Sequence, residues 1–215
     1  MTNAVKIAVI DYGMGNLRSV WQALVRVAGG QEVAVTADPA VVAAAERVVF
    51  PGQGAMPDCM RELDARGLRQ PVLDAARNKP FLGICIGQQM LFERSEEGNV
   101  DGLGVFCGPV RRFPAERMVT SQGEKLKVPH MGWNRVRQVR PHALWAGIED
   151  GARFYFVHSY FVDPVDRDVV VGEADYGVPF TSAVARDNIF AIQCHPEKSA
   201  DVGLTLLSNF VRWNP

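Results

Sequence analysis

Two hydrophobic rhythms divide the chain. In the first half, short unbroken apolar runs (VKIAVI, 5–10; RVVF, 47–50; FLGI, 81–84) alternate with stretches whose apolar residues recur every three or four positions. Runs of four to six suit strands buried on both faces, and the spacing between them suits amphipathic helices. Helices are predicted from about Asn16 to Ala28, in stretches between Ala55 and Arg77, and over QQMLFER (88–94). This alternation is the rhythm of a parallel sheet covered on both sides. From about residue 105 the pattern changes to strand-like segments joined by turns: VFCGPVRRF, KLKVP, NRVRQV, RFYFVHSYF, DVVVGEA, TSAVA and FAIQCH. A mixed or antiparallel section is expected there. Roughly Asp201 to Trp213 returns to helical spacing and is expected to pack back on the sheet. With no repeat, low-complexity tract or linker, the expectation is one α/β domain over residues 1–215: a doubly wound, mostly parallel sheet flanked by helices, with an added antiparallel section.

Composition narrows the partners. A chain of 215 residues, 47% hydrophobic, can bury a full core, so disorder is not expected. Its formal net charge of -1 leaves no basic excess for a nucleic-acid backbone and no polybasic membrane patch. Small molecules or proteins are the expected partners. Residues 1–10 lack the basic and long apolar regions of a secretory leader, and no run of about 18 apolar residues occurs, so a cytoplasmic location is expected. Cys59, Cys85, Cys107 and Cys194 form no CxxC pair, which argues against a zinc ribbon, a redox dithiol or a disulfide framework. Free thiols are expected, with no metal and no cofactor.

The candidate chemistry starts at Gly83-Ile84-Cys85-Ile86-Gly87, between a buried strand and a helix. A nucleophile on so sharp a turn is held in strained geometry, and larger flanking side chains would strike neighbouring strands. The helix that follows aims its N-terminal N–H groups and positive dipole end at the sulfur. The N–H of Ile86 is suited to receive an oxyanion. The alternative is a small buried hydrophobe at a strand end. A base decides between them. Among His130, His142, His158 and His195, the last follows the strand FAIQC and has Glu197 two residues on. Cys85, His195 and Glu197 would then be nucleophile, base and orienting carboxylate; the alternative is a solvated His-Pro-Glu turn. Phe50 to Ala55, FPGQGA, also follows a buried strand, and Gly52, Gln53 and Gly54 would complete an oxyanion hole or form a plain turn. Asp11 to Arg18, DYGMGNLR, begins like a dinucleotide fingerprint, but Arg18 stands where its third glycine belongs.

Together these stretches resemble class I glutamine amidotransferases, whose signatures are a Gly-x-Cys-x-Gly elbow followed by glutamine, here Gln89, and a distal His-Pro-Glu. DYGMGNLRS (11–19), FPGQGA (50–55), SEEG (95–98), VPHMGWN (128–134), FYFVHSY (154–160) and HPEKS (195–199) make the chain similar to the glutaminase subunits of imidazole glycerol phosphate synthases. The resemblance implies hydrolysis of glutamine to glutamate and ammonia by Cys85, His195 and Glu197, through a glutamyl thioester. Gly52, Gln53, Gly54 and Ile86 would hold the oxyanion. Gln89, Glu97, Ser159 and Tyr160 would hold the substrate. It also implies a separate (β/α)8 cyclase partner in a heterodimer, which receives the ammonia and makes imidazole glycerol phosphate and an aminoimidazole carboxamide ribotide. Asn16, Pro129, Trp133, Tyr155 and Lys198 would lie at or near that contact. Gln53, Gln88 and Cys194 depart from the family's usual aliphatic, methionine and phenylalanine, without removing a triad member. The alternatives are a glutaminase serving another synthase and a stand-alone cysteine hydrolase; a silent binding subunit is a further reading, disfavoured by the intact triad.

Overall fold

The chain's structure, a computed structural model, describes residues 6–114, 116, 118, 119, 122, 123 and 125–215. The parallel section consists of β1 (Ile7–Ile10), α1 (Leu17–Val27), β2 (Val33–Thr36), α2 (Pro39–Ala44), β3 (Arg47–Phe50), α3 (Met56–Ala65), α4 (Arg69–Asn78), β4 (Phe81–Ile84) and α5 (Ile86–Met90). There follow β5 (Phe92–Ser95), β6 (Val100–Asp101), β7 (Phe106–Arg112), β8 (His130–Arg135), β9 (Arg137–Gln138), β10 (Arg153–His158), β11 (Tyr160–Val162), β12 (Val170–Asp175), β13 (Pro179–Arg186) and β14 (Ile189–Ile192). The last helix is α6 (Ala200–Arg212).

The principal sheet runs β2-β1-β3-β4-β14-β13-β11-β7-β5-β6, with β12 and β9 branching from β13. Along that order β2, β1, β3, β4 and β14 run parallel, whereas β13 pairs antiparallel with β14, β11 and β12. Strands β8 and β10 form a separate antiparallel ribbon. The apolar runs of the first half alternate between two cores, as buried parallel strands must. Ile7, Val9, Val49, Leu82, Ile84, Phe190 and Ile192 face the core shared with α1 and α6. Ile10, Val48, Phe50, Phe81, Ile189 and Ala191 face the other, with α3 and α4.

Two sequence expectations change. QQMLFER is not one helix: α5 ends at Met90, and Phe92–Ser95 is a strand beside β7. Phe92 is wholly buried and stacks on Phe106 across that strand pair, and the tertiary partner overrides local helical spacing. Among the described residues, KLKVP forms no strand and contributes a single bridge, Lys125 with Val119. Strand β2 and helix α2 escaped the pattern; β2 is a half-exposed edge, and α2 is six residues begun by the Asp38 cap on the Ala40 N–H and by Pro39. Val5, assigned to the first strand, lies outside the described residues. No helix among the described residues is long and apolar enough to cross a membrane.

Candidate active site

Three adjacent parallel strands, β3, β4 and β14, end side by side, and each releases one of the predicted motifs from its carboxyl end. Crevices outside such strand ends are where open α/β sheets bind ligands. Cys85 leaves the central strand at φ 56° and ψ -114°, a conformation that costs a non-glycine residue free energy and persists only under restraint. The restraint is visible. The Cys85 N–H donates to Ile192 O at 2.8 Å, and a Cβ on Gly87 would lie 1.9 Å from Phe50 O, so the chain can turn this tightly only with glycine there. Gly52 is fixed likewise: a Cβ would fall 1.8 Å from the Tyr12 hydroxyl oxygen and 2.3 Å from Ile86 Cγ2. Gln53 and Gly54 continue the loop above it, and the Cys59 thiol donates to Gln53 O at 3.6 Å, turning that carbonyl toward α3.

His195 hangs from the end of β14 in a frame of short bonds. Its N–H donates to Tyr155 O at 2.9 Å, and its carbonyl accepts from Ser199 Oγ at 2.6 Å. Ser199 Oγ in turn accepts from the Tyr155 N–H at 3.0 Å. With backbone and β10 thus locked, Nδ1 meets Glu197 Oε1 at 2.8 Å, and the carboxylate, 1% exposed, fixes Nδ1–H as the tautomer. Nε2 is buried without a hydrogen-bond partner. Burial pulls the His195 pKa down, but the facing Cys85 sulfur and Glu197 carboxylate outweigh it and raise the value to about 10.

A cavity of about 370 Å³ opens over these groups. Cys85 and His195 line it, as do Gln53, Gly54, Ile86 and Gln89. Glu97, Ser159, Tyr160, Pro129 and Lys198 join them, with Val157 and His158. Gly52 and Glu197 sit behind this wall as supports. Glu97 is held at the start of α3, where its Oε2 accepts from the Met56 N–H at 2.8 Å. Asn16 instead opens α1, on a loop packed against the Gly52 backbone through Gly15. Trp133 and Tyr155 lie opposite one another on the β8–β10 ribbon with ring centroids 6.2 Å apart, and Lys198 Nζ stands 6.0 Å over the Tyr155 ring. Trp133 is 44% exposed and Met131 beside it 63%, an apolar margin near the cavity mouth.

Residues 8–213 match the family described as glutamine amidotransferase class-I. The chain belongs to the class-I glutamine amidotransferase family. It is 75% identical over 209 residues to the "Imidazole glycerol phosphate synthase subunit HisH" of Dechloromonas aromatica, covering 97% of both chains. To the protein of the same description from Aromatoleum aromaticum it is 69% identical over 209 residues, covering 97% of this chain and 99% of that one. The glutaminase domain of a Trypanosoma brucei CTPS shares the fold, with a TM-score of 0.64 at 16% identity over 98% of this chain and 95% of that one.

In this amidotransferase two further histidines adjoin the site. His158 Nδ1 faces Tyr160 O at 2.8 Å, so Nδ1 carries the proton and Nε2 accepts. His130 Nδ1 then donates to His158 Nε2 at 3.0 Å, leaving His130 Nε2 to accept from Asn134 Nδ2 at 3.4 Å. The chain of bonds is complete with both rings neutral, and burial pushes His130 down to about 4 and His158 to about 3. Gln88 points into the sheet, donating to Ala191 O at 3.1 Å, and Cys194 is wholly buried with its thiol pushed well up by burial; neither lines the cavity. Sequence reasoning passed over Ser199 and Gln193. Both sit within motifs already singled out, but nothing local says that a serine would clamp two strands or that a glutamine would turn toward the sulfur.

Proposed function

We propose that this amidotransferase is the glutaminase subunit of an imidazole glycerol phosphate synthase. The observation that carries the chemistry is the convergence of Cys85, His195 and Glu197 at adjacent strand ends, with an oriented imidazole facing a strained thiol. Cys85 gives its thiol proton to His195 Nε2, and Sγ attacks the side-chain carbonyl carbon of glutamine. The C–N bond breaks as His195 Nε2 passes its proton to the departing amine, so ammonia leaves and a glutamyl thioester remains. Water then attacks the thioester, His195 takes its proton, and glutamate is released with the thiol restored. The Ile86 N–H and the Gly52-Gln53-Gly54 loop stabilise the tetrahedral oxyanion in each half. Glu97 binds the substrate ammonium together with Gln89 Oε1, which is buried and has no other partner; Ser159 and Tyr160 hold the carboxylate end through their backbone.

The relatives' descriptions support a synthase partner. Ammonia set free in water would be protonated and lose its nucleophilicity, so it passes directly to a (β/α)8 cyclase docked at Asn16, Pro129, Trp133, Tyr155 and Lys198. The exposed Met131–Trp133 margin beside the cavity favours this reading over a stand-alone hydrolase, which has no use for it. The reaction takes place in the cytoplasm. The Gln53 carbonyl, tied to Cys59, marks a resting loop that rotates when the cyclase binds its nucleotide.

The test is glutamate release from glutamine by this chain alone and with a cyclase of that class plus its nucleotide ligand. Strong stimulation, lost in Cys85→Ala, is the expected result. Equal rates with and without the partner would sink the gated reading, and activity without preference for glutamine would favour the stand-alone hydrolase.

A further inference from the structure

Gln193 is wholly buried one residue beyond β14, directly opposite the elbow: the Cys85 N–H is already bonded to the preceding carbonyl, Ile192 O. Its own N–H donates to Ser182 O at 2.8 Å, which pins the backbone to β13 and leaves the side chain to point at the site. The direction of its amide can be derived. Tyr160 O can only accept, so the Gln89 nitrogen, 3.0 Å away, must be the donor. The second hydrogen on that nitrogen reaches the Gln193 amide at 2.9 Å, so the Gln193 atom there is oxygen. Gln193 Nε2 is thereby turned to the other side, 3.7 Å from Cys85 Sγ. The orientation is fixed from a backbone carbonyl outward, bond by bond.

A buried amide donor aimed at sulfur is a poor use of glutamine for stability alone. A thiol accepts weakly, and an unmade or weak bond in the interior costs more than an apolar side chain of the same shape. The bond becomes strong when the sulfur is an anion. We propose that Gln193 is a positioning residue for the reaction: its amide steadies the Cys85 thiolate and, through Gln89, holds nucleophile and substrate subsite in one register. This rests on the reading of Cys85 as the nucleophile. The other titratable groups facing the sulfur are His195, backed by Glu197 beyond β14, Cys59 of α3, Tyr12 beyond β1, and Cys194. None of them bridges to Gln89.

The experiment follows Cys85 alkylation in the full chain, over pH, by iodoacetamide and by the glutamine analogue 6-diazo-5-oxo-L-norleucine, in wild type, Gln193→Leu and Gln193→Met. Unfolding midpoints are measured alongside, and the two apolar shapes guard against one of them packing badly. The neutral reagent reads the sulfur alone; the analogue reads sulfur and subsite together. The expected result is a roughly tenfold slower iodoacetamide reaction with its rising limb moved to higher pH, and a larger loss with the analogue, in variants whose unfolding midpoint is near wild type. Wild-type rates and profile in a folded variant would overturn the role of Gln193. A wild-type Cys85 inert to the analogue even with the cyclase and its nucleotide ligand present would instead overturn the reading of Cys85 itself, so the two failures are distinct.

Discussion

His195 and the pair His130–His158 are buried to nearly the same degree, 4%, 3% and 6% exposed, and His158 lines the same cavity as His195. Yet the first is raised to about 10 and the others lowered to about 4 and about 3. Burial opposes charge on all three rings, so burial is not what separates them. Partners are. His195 faces a carboxylate and a sulfur that gain from its positive charge, whereas His130 and His158 face each other, a carbonyl and an amide in a chain that closes only when both are neutral. One cavity thus adjoins a ring whose partners favour its charge and a pair of rings whose partners keep them neutral.

The largest expected effect comes from removing the reactive pair: His195→Ala or Cys85→Ala should lower glutamine turnover by on the order of 10⁴-fold or more, measured as partner-stimulated glutamate release. His158→Asn, in contrast, should cost far less, because the ring holds the Tyr160 carbonyl without touching the reacting atoms; a comparable loss would erase the contrast between the charged ring and the neutral pair. Next, Glu197→Leu removes the carboxylate that sets the His195 tautomer. Turnover should fall by on the order of 10²- to 10⁴-fold, and the His195 pKa, followed by NMR, should drop toward the range of the hairpin pair. A value unchanged in the variant would show that Glu197 is not what distinguishes the two environments.

Stability against pH sharpens the comparison with opposite signs. His130 and His158 have folded pKa values below the unfolded one near 6.5, so the unfolded chain binds more protons as pH falls. Their contribution is fully present above about 6.5 and is lost from there down toward pH 4 and 3, at up to about 1.4 kcal/mol per pH unit for each ring. His195 has a folded value above the unfolded one, so its contribution is complete below about 6.5 and lost as pH rises through about 10. Denaturant midpoints measured from pH 4 to 10 should therefore fall at both ends, and His130→Phe should flatten only the acid limb. The smallest expected change is the stability of Trp133→Ala. At 44% exposure its loss should shift folding by less than about 1 kcal/mol while weakening capture of the cyclase by about 2 kcal/mol in a titration. Equal binding would place Trp133 outside the contact.

Much of this was legible in the chain itself. Four-residue apolar runs named β1, β3 and β4 because strands buried on both faces need apolar side chains at every position, and helices α1, α3, α4 and α6 announced themselves by their one-sided spacing. The elbow was readable because Gly83 and Gly87 flank Cys85, a choice that the 1.9 Å approach of Phe50 O to a Cβ on Gly87 explains. His195 and Glu197 were readable because they lie two residues apart, within reach of each other whatever surrounds them.

What the sequence could not carry were relations between distant segments. Strand β5 was missed because its reason for being a strand is β7, a dozen residues away, and α5 stops early for the same cause. The neutral state of His130 and His158 depends on meeting across the β8–β10 ribbon, 28 positions apart. Gln193, 108 positions from Cys85, turns its donor to the sulfur only because Gln89 and the Tyr160 carbonyl fix its other end. Residue types and local spacing thus determined which groups can do chemistry. Only the tertiary structure decided their charge and direction, because both are set by what a buried group faces across the fold.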